Sequence, residues 1–526
     1  MTELKKITEP LYSPNRKDLD LIEKAFNFAR QAHEGHTRYS GEPYFVHLVE
    51  TAKTLAETGM SATVIAAGLL HDTIEDVDVK PETIEKEFGP EVLFLVEGVT
   101  KLGKVRYRGM DRHNESLRKL MVAISQDIRV IIIRLADRLH NLQTLEYVPK
   151  EKQKRIATET LEIYSPIAYR LGIRRFSREL EDLCFPYVYP KQYQEIQELV
   201  KEVRRRNELS LDKFHRSVRK TLAKEGVKVV KSDYRIKGLY SLYQKYLRKD
   251  KDIDKIYDIS ALRIIVPDLT DCYQTLGIIH THWRPLPNRI KDYIAVPKPN
   301  GYRSLHTTVF VGDGTVSELQ IKTEKMHHEA EYGIASHIIY KNNVNQQENI
   351  SWIWHLLPHK SVKPSSKNSK DLREAKYQDV PRWIKELVEY QEQVHSGKKE
   401  FMDNLKADFF QQRIFVFTPN GDVVDLPSGA TPIDFAYAIH SDLGNHLFGA
   451  KVNHKLVTLG TELKNGDQVE IQTKKASQPT EKWLNYAVTA LAKRKIRSHL
   501  HKQKKGSPHQ SAQTRKRKPN SNKNPT

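Results

Sequence analysis

Apolar residues recur every three or four positions over most of the first 190 residues. The segments LDLIEKAFNFARQAH and FVHLVETAKTLAETG have this spacing, which is typical of amphipathic helices. The segment RVIIIRLADRLHNL begins with β-branched residues that suit a strand, but Leu135, Leu139 and Leu142 continue at helical spacing. We therefore predict a buried helix there and an all-α first domain over residues 1–195.

The pattern changes after the first domain. Residues 196–340 begin with a charged helical stretch and continue with short alternating runs such as YDISALRIIVP, which predict a mixed α+β domain. Residues 341–407 are rich in Asn, Gln, Ser, Lys and Pro, as expected of a linker. Residues 408–475 predict a compact domain of β-grasp proportions, with a hairpin closed by an Asn-Gly turn and a helix opened by a Thr-Pro pair. A short helix and a basic tail follow over residues 476–526.

Composition narrows the class of protein. The chain has 526 residues and a net charge of +20, and from Lys493 onwards it carries Lys and Arg without Asp or Glu. This basic tail either contacts the phosphates of a nucleic acid or the ribosome, or is a solvated tail. The sequence has no apolar run long enough to cross a bilayer and no secretory pattern at its start, so we expect a cytoplasmic protein without a membrane partner. Two cysteines, Cys184 and Cys272, exclude a disulfide framework and a Cys-based zinc module.

Four polar groups lie at the end of the apolar segment SATVIAAGLLHDTIED. His71 and Asp72 are each followed four residues later by an acidic residue, Glu75 and Asp76 respectively. Residues four apart lie on the same side of a helix, so we expect both pairs to project from one helix face.

Other predicted helices carry matching groups. Asp137 and Asn141 repeat the four-residue spacing, and His47 begins a helix after the turn-forming SGEPY. A mixed imidazole and carboxylate set suits Mn²⁺ or a similar divalent ion, which polarises phosphate and lowers the pKa of bound water. The alternative is a polar helix terminus favoured by the helix dipole. Burying so many unpaired charges among apolar helices would cost several kcal/mol, which favours the hydrolase interpretation.

Four motifs of this region resemble the HD superfamily of metal-dependent phosphohydrolases: GHTRYSGEPYFVH, LLHDTIED, GVTKLGK and RLADRLHNL. Within it they look like the hydrolase domain of RelA/SpoT proteins, which acts on (p)ppGpp. The resemblance implies further that Glu75 and Asp76 orient and activate the attacking water, that Asn141 holds the substrate, and that Arg38 stacks on guanine. An ordinary surface arginine is the alternative for Arg38. The implied Mn²⁺ ligands are His47, His71, Asp72 and Asp137.

A set of basic residues with one hydroxyl precedes the short strands of the second domain. The spacings are two, four and four, which at the start of a helix would form a basic stripe able to clamp a triphosphate. The alternative is a solvated helix face. The four residues are Arg235, Lys237, Ser241 and Lys245.

Two carboxylates follow the stripe. Asp258 precedes the strand ISALRIIV, and alternation along TVSELQIK places Glu318 and Gln320 on the same side of their strand. We therefore expect Asp258 and Glu318 to share a Mg²⁺ across a sheet, because a metal-bridged triphosphate needs few protein carboxylates.

Two motifs resemble the synthetase domain of RelA/SpoT proteins, whose fold is similar to that of nucleotidyltransferases. They are RIKDYIAVPKPNGYRSLHTTV and ELQIKTEKMHHEAEYGIASH. The resemblance implies that Asp258 holds Mg²⁺. It implies that Glu318 assists the metal or activates the 3′-hydroxyl of GDP or GTP to attack the β-phosphate of ATP, with AMP as the leaving group. The residues that would grip the ATP phosphates are Arg235, Lys237, Lys245 and Arg263.

The same resemblance assigns the acceptor nucleotide to other residues. Tyr302 would stack on its guanine or, equally, is a core tyrosine, and His306 would contact its phosphates. Lys291 lies in the loop Arg-Ile-Lys-Asp, which resembles the basic version found in bifunctional members. Ser241 and Gln320 complete the predicted substrate-binding set.

The second domain also departs from the family pattern. Arg303 stands where Gln is usual, Ile338 where Trp is usual, and Asn288 where Gly is usual. Lys322 stands where Arg is usual, and it matters most because an ammonium cannot reproduce a bidentate guanidinium contact.

Two motifs near the C-terminus resemble a TGS domain: FTPNGDVVDLPSGATPIDFAYAIHSDLG and NGDQVEI. The resemblance implies docking on uncharged tRNA, and a structural spacer is the alternative.

The leading hypothesis is a bifunctional enzyme that makes (p)ppGpp from ATP and GDP or GTP and hydrolyses it to GDP or GTP plus pyrophosphate. One alternative is a hydrolase whose synthetase fold senses nucleotides. Another is a stress adaptor that binds tRNA or the ribosome. Assembly into a homo-oligomer stays open.

Overall fold

The computed structural model describes residues 2–11, 14–103, 127–256, 258–298, 301–311, 315–333 and 413–506. The chain divides into two compact units, residues 1–396 and 397–526. The predicted linker over residues 341–407 and the basic tail after residue 506 lie outside the described residues. In the described part of the chain no helix is long and apolar enough to cross a membrane.

Among the described residues up to Lys224 the regular elements are helices, apart from one isolated bridge between Thr37 and Pro43, which confirms the predicted all-α fold. A π-helical turn (Thr160–Tyr164) connects α9 to α10. The helices are α1 (Thr2–Thr8), α2 (Arg16–Ala32), α3 (Tyr44–Glu57), α4 (Ala62–Leu70), α5 (Thr73–Asp76), α6 (Pro81–Phe88), α7 (Pro90–Gly103), α8 (Ile128–Gln143), α9 (Lys150–Glu159), α10 (Ser165–Arg170), α11 (Arg174–Val188) and α12 (Pro190–Lys224).

Helices α4 and α8 lie at the centre of this region. Every residue of α4 except Thr63 is buried, since the rest of the helix is apolar and packs against α2, α3 and α7. Helix α8 contains the ambiguous segment RVIIIRLADRLHNL and is confirmed as a buried helix. The side chain of Asp127 caps it by accepting a hydrogen bond of 2.9 Å from the Arg129 backbone N–H.

The second domain is a mixed sheet with helices, as predicted. The strand order is β1-β2-β5-β4-β3, where β2 and β5 are parallel and the other neighbours antiparallel. Its core joins α12 and α14 to the sheet, and Leu262, Ile264, Leu319 and Ile321 contribute from the strands. The elements are β1 (Lys231–Ile236), α13 (Leu239–Arg248), β2 (Ser260–Val266), α14 (Leu269–His282), β3 (Lys291–Asp292), β4 (Leu305–Phe310), β5 (Val316–Thr323) and α15 (Glu324–Tyr332).

The basic stripe does not lie on one helix, so that expectation is wrong. Arg235 belongs to β1, Lys237 follows the strand, and only Ser241 and Lys245 lie on α13. The reason is that β1 pairs with β2 up to Ile236, and the Lys237 backbone N–H still donates to the Ile259 carbonyl at 3.0 Å. Helix α13 begins only after Gly238.

The C-terminal unit has the predicted β-grasp proportions. Gly421 closes the hairpin of β6 and β7 with φ of 90°, as expected for the Asn-Gly turn. Thr431 caps α16 in a capping box with Asp434, which confirms the helix opened by the Thr-Pro pair. The elements are β6 (Arg413–Phe417), β7 (Val423–Pro427), α16 (Pro432–Ile439), α17 (Ser441–Asn445), β8 (Leu447–Val452), β9 (Lys455–Val457), β10 (Val469–Thr473), α18 (Trp483–Tyr486) and α19 (Ala490–Gly506).

Candidate active sites

Three buried ligand groups converge between α3, α4 and α8. One ligand atom each from His47, His71 and Asp137 lies within 4.8 Å of the others. His47 Nε2 is 3.3 Å from Asp137 Oδ1, and His71 Nε2 is 3.9 Å from the same oxygen. Asp72 adds a carboxylate oxygen 3.0 Å from His71 Nε2. All four predicted metal ligands therefore meet at one point.

The apolar helix ends earlier than expected, so His71, Asp72, Glu75 and Asp76 do not share one uninterrupted helix. Helix α4 stops at Leu70, the first pair forms a turn, and the second pair lies in the four-residue α5. The physical reason is that side chains take the last carbonyls of α4, as His71 Nδ1 contacts the Gly68 carbonyl at 2.7 Å. The Asp76 N–H still donates to the Asp72 carbonyl at 2.8 Å, so the four-residue spacing survives. Glu75 and Asp76 are exposed beside the buried ligands.

The electrostatics of this cluster favour a cation. Burial opposes the charged imidazolium, but the Asp72 carboxylate raises the pKa of His71 to about 9. Burial also opposes the charged carboxylate of Asp72, but His71 lowers the pKa of that carboxyl to about 2. His71 Nε2 is buried and has no hydrogen-bond partner among the described residues. A buried imidazole nitrogen 3.0 Å from one carboxylate oxygen and 3.9 Å from another fits a metal ligand.

The predicted nucleotide-binding residues of the first site lie at its edge. The Arg38 guanidinium donates to the side-chain oxygen of Asn141, to His140 Nδ1 at 3.0 Å and to Thr144 Oγ1 at 3.1 Å. Asn141 also donates to Asp137 Oδ1. Arg38 is thus anchored to α8 and to Thr144, the residue that follows it.

Sequence reasoning missed two residues of the first site. The Tyr44 hydroxyl donates to Asp72 Oδ2 at 2.8 Å, and His140 Nδ1 lies 2.9 Å from His47 Nδ1. Burial, followed by the charge of Asp72, raises the pKa of Tyr44. Their positions in the sequence could have indicated both residues, because Tyr44 precedes His47 by about one helical turn and His140 directly precedes Asn141.

The second site brings its two predicted carboxylates to neighbouring strands. Asp258 precedes β2, which is parallel to β5, and Ala261 of β2 is in register with Glu318. Lys237 Nζ and Lys245 Nζ lie 2.8 and 2.6 Å from the two oxygens of Asp258. Burial opposes ionisation, but these two lysines lower the pKa of Asp258 to about 2.

Glu318 has its own partners. His306 Nδ1 lies 3.1 Å from Glu318 Oε1, and Gln320 Nε2 donates to the same oxygen at 3.3 Å. Burial opposes ionisation, but the hydrogen bond from His306 lowers the pKa of Glu318. His306 is in register with Gln320 on one side and with Lys291 of β3 on the other, and Lys291 is exposed.

Three other residues of the predicted substrate-binding set lie beside acidic side chains. Arg263 Nε and Nη2 donate to the two oxygens of Asp233, each at 2.8 Å, because the two residues face each other across β1 and β2. Ser241 donates to Glu181 of α11 at 3.2 Å. Arg235 lies partly buried near Glu331, and burial lowers the pKa of Arg235.

Tyr302 lies among cations. Its side chain is 3% exposed and its hydroxyl is 2.8 Å from His306 Nε2. Arg174 Cζ lies 4.6 Å from the ring centroid, Lys322 Nζ 5.2 Å and Lys298 Nζ 5.5 Å, which are cation–π distances. Three basic side chains therefore surround the ring of Tyr302.

Lys322 is the most unusual residue of the second site. It is fully buried, and its Nζ has no hydrogen-bond partner within the described ranges. Burial, followed by the charge of Arg235, lowers the pKa of Lys322 to about 7. Of the other departures, Arg303 is paired with Glu329 at 2.7 Å, Asn288 has a φ of 59°, and Ile338 lies outside the described residues.

Three family models match the chain in order. An HD domain matches residues 25–174, the region found in RelA/SpoT proteins matches residues 234–345, and a TGS domain matches residues 414–473. Together they cover both candidate sites and the C-terminal strands.

Curated relatives match most of the chain. A guanosine-3′,5′-bis(diphosphate) 3′-pyrophosphohydrolase from Aquifex aeolicus is 43% identical over 94% of this chain and 67% of its own length. A GTP pyrophosphokinase from Myxococcus xanthus is 43% identical over 94% of this chain and 62% of its own length. A probable pyrophosphohydrolase of the first kind from Synechocystis is 44% identical over 91% of this chain and 60% of its own length. The chain thus spans 60 to 67% of the length of these relatives.

Solved structures also match parts of the chain. A metazoan orthologue of SpoT that hydrolyses ppGpp is 23% identical, with a TM-score of 0.27 over 33% of this chain and 96% of that chain. The small alarmone synthetase 1 from Bacillus subtilis, bound to its product pppGpp, is 16% identical, with a TM-score of 0.23 over 39% of this chain and 99% of that chain. From the order of its three domains and the extent of its likeness to the curated relatives, the chain belongs to the RelA/SpoT family.

Proposed function

We propose that the first site hydrolyses the 3′-pyrophosphate of (p)ppGpp, giving GDP or GTP and pyrophosphate. The observation that carries this proposal is the convergence of His47, His71 and Asp137, with Asp72 beside them. The name of the Aquifex relative, a 3′-pyrophosphohydrolase, supports it.

Within this proposal the four residues hold a divalent ion, which we take to be Mn²⁺. Such an ion, when bound, would polarise the phosphate and lower the pKa of the attacking water. Glu75 and Asp76, exposed beside the ligands, orient the attacking water and accept its proton. Arg38 and Asn141 hold the nucleoside end of the substrate.

We further propose that the second site transfers pyrophosphate from ATP to the 3′-hydroxyl of GDP or GTP. Asp258 holds Mg²⁺, which neutralises charge on the phosphates. Glu318, kept ionised beside His306, accepts the proton of the 3′-hydroxyl as its oxygen attacks the β-phosphorus of ATP. The bond from this phosphorus to the α,β-bridging oxygen breaks, and AMP leaves. The name of the Myxococcus relative, a GTP pyrophosphokinase, supports this activity.

Cationic and polar side chains bind the two nucleotides in this scheme. Tyr302 stacks on the acceptor guanine after the cations around its ring give way, and His306 contacts the acceptor's phosphates. Ser241, Lys291 and Gln320 supply further polar contacts. The residues that bind the ATP phosphates are Arg235, Lys237, Lys245 and Arg263.

A hydrolase whose second domain only senses nucleotides is the competing function. Two observations favour this alternative: Tyr302 is buried with three basic side chains around its ring, and Lys322 Nζ has no hydrogen-bond partner among the described residues. A Lys322→Arg substitution separates the two. Synthesis that appears only in this variant would support the sensor, whereas synthesis by the unsubstituted chain would exclude it.

The C-terminal unit suggests a further partner. We propose that the TGS domain and the basic tail bind uncharged tRNA or the ribosome through phosphate contacts. Binding that weakens steeply between about 50 and 200 mM salt would support this role. Equal binding by a chain truncated after residue 506, which keeps α19 and its buried Ile496, would exclude the tail. Light scattering of the same samples tests for a homo-oligomer.

The decisive experiment measures both reactions with the purified chain. One assay contains Mn²⁺ and ppGpp, and the other contains Mg²⁺, ATP and GDP. Asp72→Ala should abolish only hydrolysis and Glu318→Ala only synthesis. Pyrophosphate release without synthesis would reduce the proposal to a hydrolase, and loss of both activities in either variant would contradict separate sites.

A further inference from the structure

His140 lies between a proposed metal ligand and a proposed nucleotide-binding residue. It belongs to α8 and is 8% exposed. Its Nδ1 lies 2.9 Å from His47 Nδ1 and 3.0 Å from Arg38 Nη1. One nitrogen atom of His140 therefore serves two neighbours.

The identity of the neighbours decides where the protons are. A guanidinium only donates hydrogen bonds, so His140 Nδ1 must be the acceptor in its contact with Arg38. The same atom then accepts from His47, whose Nδ1 must carry the proton. A neutral imidazole protonated at Nδ1 has its lone pair on Nε2. That lone pair of His47 faces Asp137 Oδ1 at 3.3 Å and Asp72 Oδ2 at 3.6 Å, where a metal would lie.

The second histidine of the site is oriented by different means. His71 Nδ1 contacts the Gly68 carbonyl at 2.7 Å. A carbonyl can only accept, so the main chain fixes the tautomer of His71 permanently. His47 depends instead on a side chain whose acceptor atom is shared with Arg38.

We propose that His140 is a positioning residue that fixes the tautomer of His47 for metal binding and links this ligand to Arg38. The inference rests on the proposed hydrolase site. It makes metal affinity sensitive to Arg38, although Arg38 itself binds no metal. Asn141 and Thr144 give Arg38 additional acceptors, so the link is partial.

Two substitutions of His140 in the full chain test the positioning role. His140→Asn keeps an acceptor oxygen near the position of Nδ1, whereas His140→Leu removes the acceptor at similar volume. Titration calorimetry with Mn²⁺ in the absence of nucleotide should show about 10- to 100-fold weaker binding for the Leu variant, as for other groups that orient metal-bound histidines. The Asn variant should stay within about fivefold of the unsubstituted chain.

Equal weakening in both variants, or none in either, would overturn the proposal. The second domain reports on folding, because nucleotide binding there and the thermal unfolding midpoint should be unchanged in both variants. If the Leu variant fails this check, the proposal stands or falls on the Asn variant, whose Mn²⁺ affinity must remain near that of the unsubstituted chain.

Arg38→Ala tests the link itself. Without the guanidinium, His140 can adopt the tautomer with a proton on Nδ1, so Mn²⁺ should bind about two- to fivefold more weakly even without nucleotide. An unchanged affinity would overturn the link. Tight Mn²⁺ binding that depends on His140, in a chain that does not cleave ppGpp, would refute the proposed hydrolysis and leave this inference standing.

Discussion

The two candidate sites place different groups against their carboxylates. In the first site His71 lies 3.0 Å from Asp72 and His47 lies 3.3 Å from Asp137, which also pairs with Arg134 at 2.5 Å, so imidazoles that can coordinate a metal face the carboxylates. In the second site two ammonium groups, of Lys237 and Lys245, pair with Asp258, and Glu318 lies 3.1 Å from His306, whose pKa burial lowers.

This difference indicates whether each site can bind a metal ion before it binds a nucleotide. A metal cation fits the first site, because it can bind the imidazole nitrogens and the carboxylate oxygens together. A bare cation gains little in the second site, where two ammonium groups already occupy the oxygens of Asp258. A nucleotide can draw these lysines onto its phosphates and free Asp258 for the metal. We therefore expect the first site to bind metal alone and the second to bind metal together with nucleotide.

The largest expected effect comes from removing the imidazole of His71. His71→Ala should lower the rate of (p)ppGpp hydrolysis by about 10³-fold or more and abolish Mn²⁺ binding without nucleotide. Synthesis by the same protein should change less than about twofold, since the sites are separate. The matched control is His36→Ala, an exposed histidine of the same domain. Retained hydrolysis would show that the cluster is not the metal site.

A somewhat smaller effect is expected from Asp258→Asn. Synthesis should fall about 10²- to 10³-fold, because the carboxylate that receives Mg²⁺ is lost. ATP without Mg²⁺ should bind as well or better, since Lys237 and Lys245 lose their internal partner. The control is Asp252→Asn, which alters an exposed pair with Lys255. Mg²⁺ binding to the unsubstituted second site in the absence of nucleotide would contradict the proposed order.

The periodicity of the sequence predicted the helices and strands better than it predicted the contacts between side chains. The helical spacing of α8 predicted the helix correctly although nearly all of its residues are buried, and the alternation of β5 correctly placed Glu318 and Gln320 on one side of the strand, where Gln320 donates to Glu318. Arg235 and Lys237 were misplaced because sheet pairing with β2 overrode their helical spacing. His140 and Tyr44 act through contacts between α3, α8 and the turn after α4, which no local pattern encodes.

Lys322 adds a second difference between the two sites, because its buried ammonium group is a positive charge that no carboxylate pairs with among the described residues. Its pKa is about 7 in the folded chain, against about 10.5 when unfolded. The unfolded state binds more protons between these values, so the burial cost is full below pH 7 and disappears towards pH 10.5. Lys322→Met should therefore raise the free energy of unfolding by roughly 2 kcal/mol at pH 7, with a smaller gain at pH 9.

Denaturant unfolding at both pH values measures this effect. Lys325→Met, at an exposed position of α15, is the control and should change little. Destabilisation by Lys322→Met at pH 7 would mean that the ammonium makes a favourable contact in the second site.

The smallest expected effect concerns the hydroxyl of Tyr44, which donates to Asp72 at 2.8 Å. Tyr44→Phe keeps the ring between His33 and His47 and removes only this bond, so hydrolysis should fall about three- to tenfold when Mn²⁺ is limiting. Tyr39→Phe, in the exposed loop before α3, is the matched control. If Tyr44 only holds a metal ligand in place, excess Mn²⁺ should restore the rate, because the bound ion then orients Asp72. A loss that persists at saturating Mn²⁺ would place Tyr44 among the groups that contact the substrate, and the first site would then select its nucleotide as well as its metal through α3.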